Sequence, residues 1–498
     1  MPSRSLYTPA SVWFLLPVVV LVPMAAFGTL VLRHFYVLGA FWSDSGAIAA
    51  VMWHSDPLLR LPLVNGAASF FQYHIAPFFL LLSLLSRLIP FSEVWFFAIV
   101  SGVAFMLPGL AVYWLLVGNL RMTRGFTPLA AAGISLLFAF NGMALAVSRN
   151  PHFEMLIVGT GMMFLVGLLQ KRYVIATIFF MLCLTIREDA GLHLVTLLGV
   201  FSFVGKFSGI SLNKLKPVLI YGGVALLYSL LAIAVQKLYF PGYDALRNVY
   251  IGSPASPPHG WPLVPKLLIY YVIKRGFIFL PAYLALAWAY RARNIMLAAG
   301  YLAVVPWAIL SLFAVSPWAA TLSGYYCFPF IFALFWVLLG PRLAASYGST
   351  QPPLKYPVVI FSLLLLTSYI ELGQQYNPGH IALPQSFYQL PSAQLRHVTA
   401  QALQDFVQDK AQLGSVKIDS GVAALDPRDY TGAQLVEMQP SLPADTIIYF
   451  ANGYQLALVL AAAQKEQLDN YYLVPGTSLR VVSRRQLTGI AGLAPAPG

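Results

Sequence analysis

Apolar runs recur along the first 370 residues, near 11–32, 93–118, 127–147, 155–170, 173–187, 190–205, 217–236, 276–290, 295–315, 325–340 and 356–371, with one more at 75–89. About 20 apolar residues match the hydrocarbon core of a bilayer. In that medium each backbone polar group must be satisfied within its own segment or within a closed barrel. The runs are continuous and do not alternate in polarity, so the expected fold class is an all-α polytopic membrane protein. With 59% hydrophobic and only 9% charged residues, the chain cannot be a water-soluble enzyme, and its many Leu, Val, Ile and Phe exclude disorder.

The net charge of +13 does not point to nucleic acid, because of where it lies. Residues 1–370 hold 22 Lys and Arg against 7 Asp and Glu, whereas 371–498 hold 8 against 10. Basic residues near span ends set topology. If 75–89 rests at the outer surface, Arg4, Arg121/Arg124, Lys171/Arg172, Lys206/Lys214/Lys216, Arg291/Arg293 and Arg342/Lys355 all fall inside. This gives about eleven transmembrane helices plus an outer-surface helix, with the N-terminus inside and the C-terminus outside. The acidic residues were not used in that choice and agree with it. Asp44, Asp56, Glu93, Glu154, Glu188, Asp189 and Asp244 all fall at outer ends, as do His34, His54, His74, His152 and His259, with His193 about one turn in. Ser11 to Leu32, following Arg4, is too long for a signal-peptide core and reads as a retained anchor.

The membrane part is expected to span 1–372, with long outer loops at 33–92 and 237–275. The second of these is rich in Pro and aromatics and suits a lid. From 373 to 498 the composition turns soluble, and the pattern reads as a small α/β extracytoplasmic domain. Helices are expected near 391–412 and 455–468, and strands at 446–450, 471–474 and 479–482. Cys183 and Cys327 lie in apolar stretches and offer neither a disulfide framework nor a zinc site.

Several polar groups sit where polar groups are costly. Asp44, after Phe41-Trp42-Ser43, is placed to act as a general base or to cap the short amphipathic helix that follows. Ser148-Arg149-Asn150-Pro151-His152-Phe153-Glu154 combines a base, an imidazole and an acid. It reads either as a second catalytic group or as the first turn of a helix, where a carboxylate is favoured by the dipole. Arg187-Glu188-Asp189 reads as an internal ion pair or as a phosphate-binding arginine with its neighbours, and Lys274-Arg275 offers the same phosphate chemistry. His74, in Gln72-Tyr73-His74, and Tyr325, in Ser323-Gly324-Tyr325-Tyr326, are supporting candidates. Asp44, His152 and Glu154 are also a conceivable set of ligands for a divalent metal, although their spacing is not a metal motif.

In order and spacing, Ser43-Asp44-Ser45-Gly46, Tyr73-His74-Ile75-Ala76-Pro77, Pro151-His152-Phe153-Glu154, Arg187-Glu188-Asp189 and Gly324-Tyr325-Tyr326-Cys327-Phe328-Pro329 resemble a bacterial family of predicted membrane proteins of unknown function grouped with the GT-C glycosyltransferases. The likeness covers most of 35–340. Ser45 replaces a leucine, Pro151-His152-Phe153 permutes Phe-His-Pro, and Arg187 replaces a lysine. The resemblance implies a GT-C-like fold and an inverting transfer of a hexose or pentose from a polyprenyl-phosphate donor to a glycan, lipid or protein acceptor outside the bacterial inner membrane. It implies Asp44 as catalytic base or acceptor-orienting residue, with His152 or Glu154 as its partner. Arg187, helped by Lys274 and Arg275, would be the cation on the donor phosphate, with His74, Glu188, Asp189 and Tyr325 in support.

The rival readings are a lipid-linked sugar flippase or transporter and a non-catalytic scaffold. The first lacks acids at mid-membrane depth and internal repeats, and the second leaves the one-sided acids without a reason. The topology itself is testable. In a variant without Cys183 and Cys327, single cysteines at Ser43 and Ser148 should react with an impermeant thiol reagent on intact cells while one at Gly125 is protected. Protection at 148 would overturn the eleven-span arrangement.

Overall fold

The computed structural model describes residues 9–38, 48–49, 51–52, 57–60, 69–88, 93–118, 127–148, 152–242, 244, 246–252, 263–352, 356–370, 388–408, 410–425, 434–435, 443–451, 456–488, 490 and 493–495. The chain divides into two compact units, one of residues 1–24, 73–76 and 103–381 and the other of 25–72, 77–102 and 382–498.

The helices of the membrane part are α1 (Pro9–Leu38), α2 (Phe78–Leu88), α3 (Glu93–Gly118), α4 (Pro128–Ala139), α5 (Gly142–Ser148), α6 (Glu154–Leu169) and α7 (Tyr173–Ile186). They continue with α8 (Ala190–Phe207), α9 (Leu212–Tyr239), α10 (Val264–Lys274), α11 (Gly276–Arg291), α12 (Ala299–Leu312), α13 (Pro329–Ser346) and α14 (Pro357–Thr367). Among the described residues five helices, within α1, α3, α8, α9 and α13, are long and apolar enough to cross a bilayer. The bent pairs α4/α5 (43°) and α10/α11 (88°) raise the count to seven. The protein is therefore a multi-pass membrane protein. At 1.5 Å per residue, the 11-residue α2 is about 16 Å long, short of a bilayer core of about 30 Å.

Local sequence explains where these helices start and stop. Pro128, Pro329 and Pro357 each open a helix, where a missing N–H leaves no bond unmade. Thr127 caps α4 by accepting from Ala130 N at 3.1 Å. At their other ends α6, α8 and α11 turn through the left-handed residues Lys171, Gly209 and Arg293. There Arg172 N, Ile210 N and Asn294 N bond back to Gly167 O, Gly205 O and Ala289 O, in the manner of a Schellman cap. Cations thus gather at these carboxyl ends, while Glu154 and Asp189 stand at the amino ends of α6 and α8, as the helix dipoles favour.

In the first unit α6 and α13 are the innermost helices, buried along nearly their whole length. α6 pairs with α7 and packs on α13, α8 pairs with α9, and α12 lies between α8 and α13. The α4/α5 break is built by Asn141. Its Oδ1 accepts from Met143 N and Ala144 N, and its Nδ2 donates to Phe138 O. The chain after the break runs under the carbonyl of Ser368, so closely that a Cβ on Gly142 would collide with it. α5 then packs on the turn Gly324–Cys327, which sets the approach to His152.

In the second unit, six strands form a sheet in the order β2-β1-β3-β5-β4-β6: β1 (Val416–Ile418), β2 (Gln434–Leu435), β3 (Thr446–Phe450), β4 (Asn470–Leu473), β5 (Leu479–Ser483) and β6 (Ala494–Pro495). β1 runs parallel to β2 and β3, and the other pairs are antiparallel. Ile447, Tyr449 and Val482 pack on Val459, Ala462 and Ala463 of a helix at Leu456–Lys465. A further helix, Ala393–Gln408, carries Arg396 over the ring of Trp95 at 5.5 Å. β1, β2, β6 and a short helix at Ser420–Leu425 were not expected from the sequence, since segments of two to six residues carry too little periodicity to read.

Because the obstacle at Gly142 is backbone, Gly142→Ala should lower stability by about 1–3 kcal/mol, the usual range for overpacking. Thermal unfolding of the purified protein would show it, and an unchanged midpoint would contradict this account of the break.

Candidate functional site

Three separate segments of the first unit bring titratable side chains together: 73–76, the start of α6, and the turn between α7 and α8. Glu154 is the first residue of α6 and is fully buried. Its Oε2 meets Nδ1 of His152 and its Oε1 meets Nη1 of Arg187. Arg187 ends α7 in an extended conformation and turns the other edge of its guanidinium to Asp189. Nε donates to Oδ1 at 2.5 Å and Nη2 to Oδ2 at 2.7 Å, the paired geometry of an arginine–carboxylate fork. The guanidinium faces lie over the rings of Phe153 and Phe328, at 5.9 and 5.8 Å. Burial alone would raise the Asp189 carboxyl. The Arg187 guanidinium, through its charge and its hydrogen bonds and with the His193 ring nearby, outweighs it and holds Asp189 well below the ordinary carboxylate range.

At the far side of Asp189, His193 brings Nε2 to 3.8 Å from Oδ2 and stacks on Trp307 at 4.0 Å. On the near side, His152 stacks on Tyr325, with ring centroids 4.5 Å apart and planes 21° from parallel, and lies 4.2 Å from Phe153. Tyr325 in turn stacks on Tyr326 at 4.5 Å. The order His152, Glu154, Arg187, Asp189, His193 is thus one continuous row of alternating partners.

Glu188 points elsewhere. Its Oε1 accepts from His74 Nδ1 at 3.0 Å and its Oε2 from Ile75 N at 2.9 Å, while Gln236 Nε2 donates to Tyr73 O at 2.9 Å. The segment 73–76 is clasped by these three bonds. Burial works against the charged imidazole of His74, but the Glu188 carboxylate outweighs it through charge and hydrogen bond, and the pKa lies above its ordinary value.

Lys274 and Arg275 lie at the 88° bend between α10 and α11. Arg275 is buried, donating to Thr321 O at 2.6 Å, Lys274 O at 3.1 Å and Ser323 Oγ at 2.5 Å, beneath the ring of Tyr270. All these partners are neutral, and no described carboxylate balances its charge. Beside it, Leu263, Lys266, Leu267, Tyr270 and Thr321 line a mainly apolar cavity of about 240 Å³. Lys274 is exposed. Since Tyr325 follows Thr321 and Ser323 closely, one segment borders both the cavity and the carboxylate row.

The structure therefore brings His152, Glu154, Arg187 and Asp189 into one row, with Tyr325 against His152. It joins His74 to Glu188, and it sets Lys274 and Arg275 apart at the bend. Asp44 lies outside the described residues. Arg187, expected as a phosphate cation, has both edges of its guanidinium taken by carboxylates. Among the described residues no group of three or more His, Cys, Asp or Glu could hold a metal ion, and His152 and Glu154 turn toward each other the atoms a shared metal would need. Lys266 and Trp307 escaped the sequence reading, which placed His193 about one turn inside an outer helix end without assigning it to the site. The i, i+4 spacing of Asp189 and His193 was the one available signal.

The fold, mostly helical with one six-stranded sheet, is GT-C-like. ArnT from Cupriavidus metallidurans, crystallised bound to undecaprenyl phosphate, shares it with a TM-score of 0.50 at 13% identity, over 98% of this chain and 100% of that one. The archaeal oligosaccharyltransferase AglB from Archaeoglobus fulgidus, in complex with an inhibitory peptide and a dolichol-phosphate, aligns over 97% of this chain and 75% of that one at 12% identity. Its TM-score is 0.40. No protein-family model and no curated protein matches the sequence.

The clasp yields a pH dependence. A raised His74 pKa means that its pairing with Glu188 stabilises the fold fully below the ordinary imidazole value of about 6.5 and is lost as pH rises through the raised value. The difference in unfolding midpoint between wild type and His74→Gln should be larger at pH 6 than at pH 9. An equal difference at both would show that the pair is not ionic.

Proposed function

We propose that this protein is a membrane glycosyltransferase that moves a sugar from a polyprenyl-phosphate donor to an acceptor outside the bacterial inner membrane, with inversion. The observation that carries the reading is the row of buried ionisable groups. Ionised groups inside an apolar helical protein cost several kcal/mol each unless paired, and they are retained chiefly where they work. The fold shared with ArnT, whose crystals hold undecaprenyl phosphate, agrees with a lipid-linked donor.

In this reading the acceptor oxygen forms a bond to the anomeric carbon as the bond from that carbon to the phosphate oxygen breaks, and the electron pair leaves with the phosphate. Asp44 orients the acceptor, the role the sequence resemblance allows it. The phosphate belongs at the bend. Arg275 carries a charge that no described carboxylate balances, Lys266 lines the neighbouring cavity, and Lys274 supplies a further cation. The cavity's apolar lining suits the first isoprene units of a donor. Arg187 is the brace between two carboxylates, whose surplus negative charge would repel a phosphate.

Purified full-length protein given labelled polyprenyl-phosphate sugars and envelope extract should transfer label to the acceptor. Asp44→Asn should lower the rate by about 10²–10⁴-fold. Lys266→Gln and Arg275→Gln should each raise the donor KM about 10- to 100-fold, the scale of a lost hydrogen bond to a charged group. Movement of labelled lipid across proteoliposomes with no bond broken would make the protein a flippase and overturn the reading.

A further inference from the structure

Two residues of the second outer motif compete for the chemistry, and their surroundings separate them. Glu154 has no exposed surface, and both its carboxylate oxygens are engaged, one by His152 and one by Arg187. No face of it is left for a substrate. His152 turns Nδ1 to that carboxylate, and the side chain keeps 8% of its surface. Its Nε2 makes no hydrogen bond to a described residue, and the residue as a whole is partly exposed.

A carboxylate on Nδ1 selects the tautomer with the proton there, which leaves a lone pair on Nε2. The ring is held against rotation by Tyr325 and Phe153. Behind it, Glu154 is held by Arg187 and Arg187 by Asp189. The other carboxylate–histidine pair in the row is built the opposite way. His193 is 6% exposed and stacked on Trp307, and its Nε2 is buried without a hydrogen bond and turned toward Asp189.

We propose that His152 is the base of the reaction, presenting Nε2 to the acceptor, and that Glu154, Arg187 and Asp189 are positioning residues that hold its ring. This rests on the transferase reading above. As the acceptor oxygen bonds to the anomeric carbon, its proton passes to Nε2 and the phosphate leaves with the electron pair of the broken bond. The Glu154 carboxylate stabilises the imidazolium without taking the proton, as the aspartate of a Ser-His-Asp triad does.

Diethyl pyrocarbonate, which acylates accessible imidazole nitrogen, tests the geometry without requiring turnover. Mass spectrometry of the treated full-length protein should find His152 modified, His193 unmodified, and His152 protected several-fold by undecaprenyl phosphate. In the transfer assay, His152→Gln and Glu154→Gln should each lose about 10²–10⁴-fold in kcat with donor KM within about threefold of wild type, and imidazole should partly restore His152→Ala. An unreactive His152, or His152→Gln transferring at the wild-type rate, overturns the proposal. If the wild type transfers nothing while His152 is modified and protected, the transferase reading falls and the exposed, ligand-facing Nε2 stands.

Discussion

The guanidinium of Arg187 holds together a site that would otherwise repel itself. Glu154 and Asp189 come from different helix starts, the first fully buried and the second partly buried, where two carboxylates disfavour one another. A planar cation with two usable edges sits between them, its faces covered by Phe153 and Phe328. A lysine offers one point of charge and could not bridge both with comparable geometry. Even so, one guanidinium does not balance Glu154, Asp189 and Glu188. The surplus negative charge explains why His74 is drawn toward its protonated form.

The helices separate charge by direction. α6 and α8 begin with acids and end among cations, each in the sense its dipole favours. The irregularities lie at the site: the break at Asn141 leads toward His152, and the right-angled bend at Arg275 places a buried cation beside Thr321 and Ser323. Broken helices of this kind are tolerated because side chains re-satisfy the freed backbone groups. Asn141 does this with both ends of its amide, and Arg275 caps the carbonyls of Lys274 and Thr321.

Much of this is legible in the sequence, for identifiable reasons. Hydropathy marks the helical runs because the bilayer forbids unpaired backbone, and the grouping of acids apart from basic clusters marks the end of the helices where Glu154, Arg187 and Asp189 meet. The strand at 446–450 reads clearly because Thr-Ile-Ile-Tyr-Phe is β-branched and aromatic throughout. Pairings across distance do not read at all. Nothing in Arg187-Glu188-Asp189 says that consecutive acids part company, Glu188 to His74 and Asp189 to Arg187, because that choice is made by a turn between two helices. Nor does Lys274-Arg275 reveal that its arginine is buried and its lysine exposed, which depends on the bend.

Whether the row of charges exists for chemistry or for holding the helices together is the central question, and one variant separates the two. Buried ion pairs replaced together by apolar residues of similar size commonly leave a protein as stable or more so. In the combined variant Glu154→Leu, Arg187→Met, Asp189→Leu, this account predicts an unfolding midpoint at or above that of the wild type together with complete loss of sugar transfer. A variant that fails to fold, or one that still transfers sugar, would contradict it.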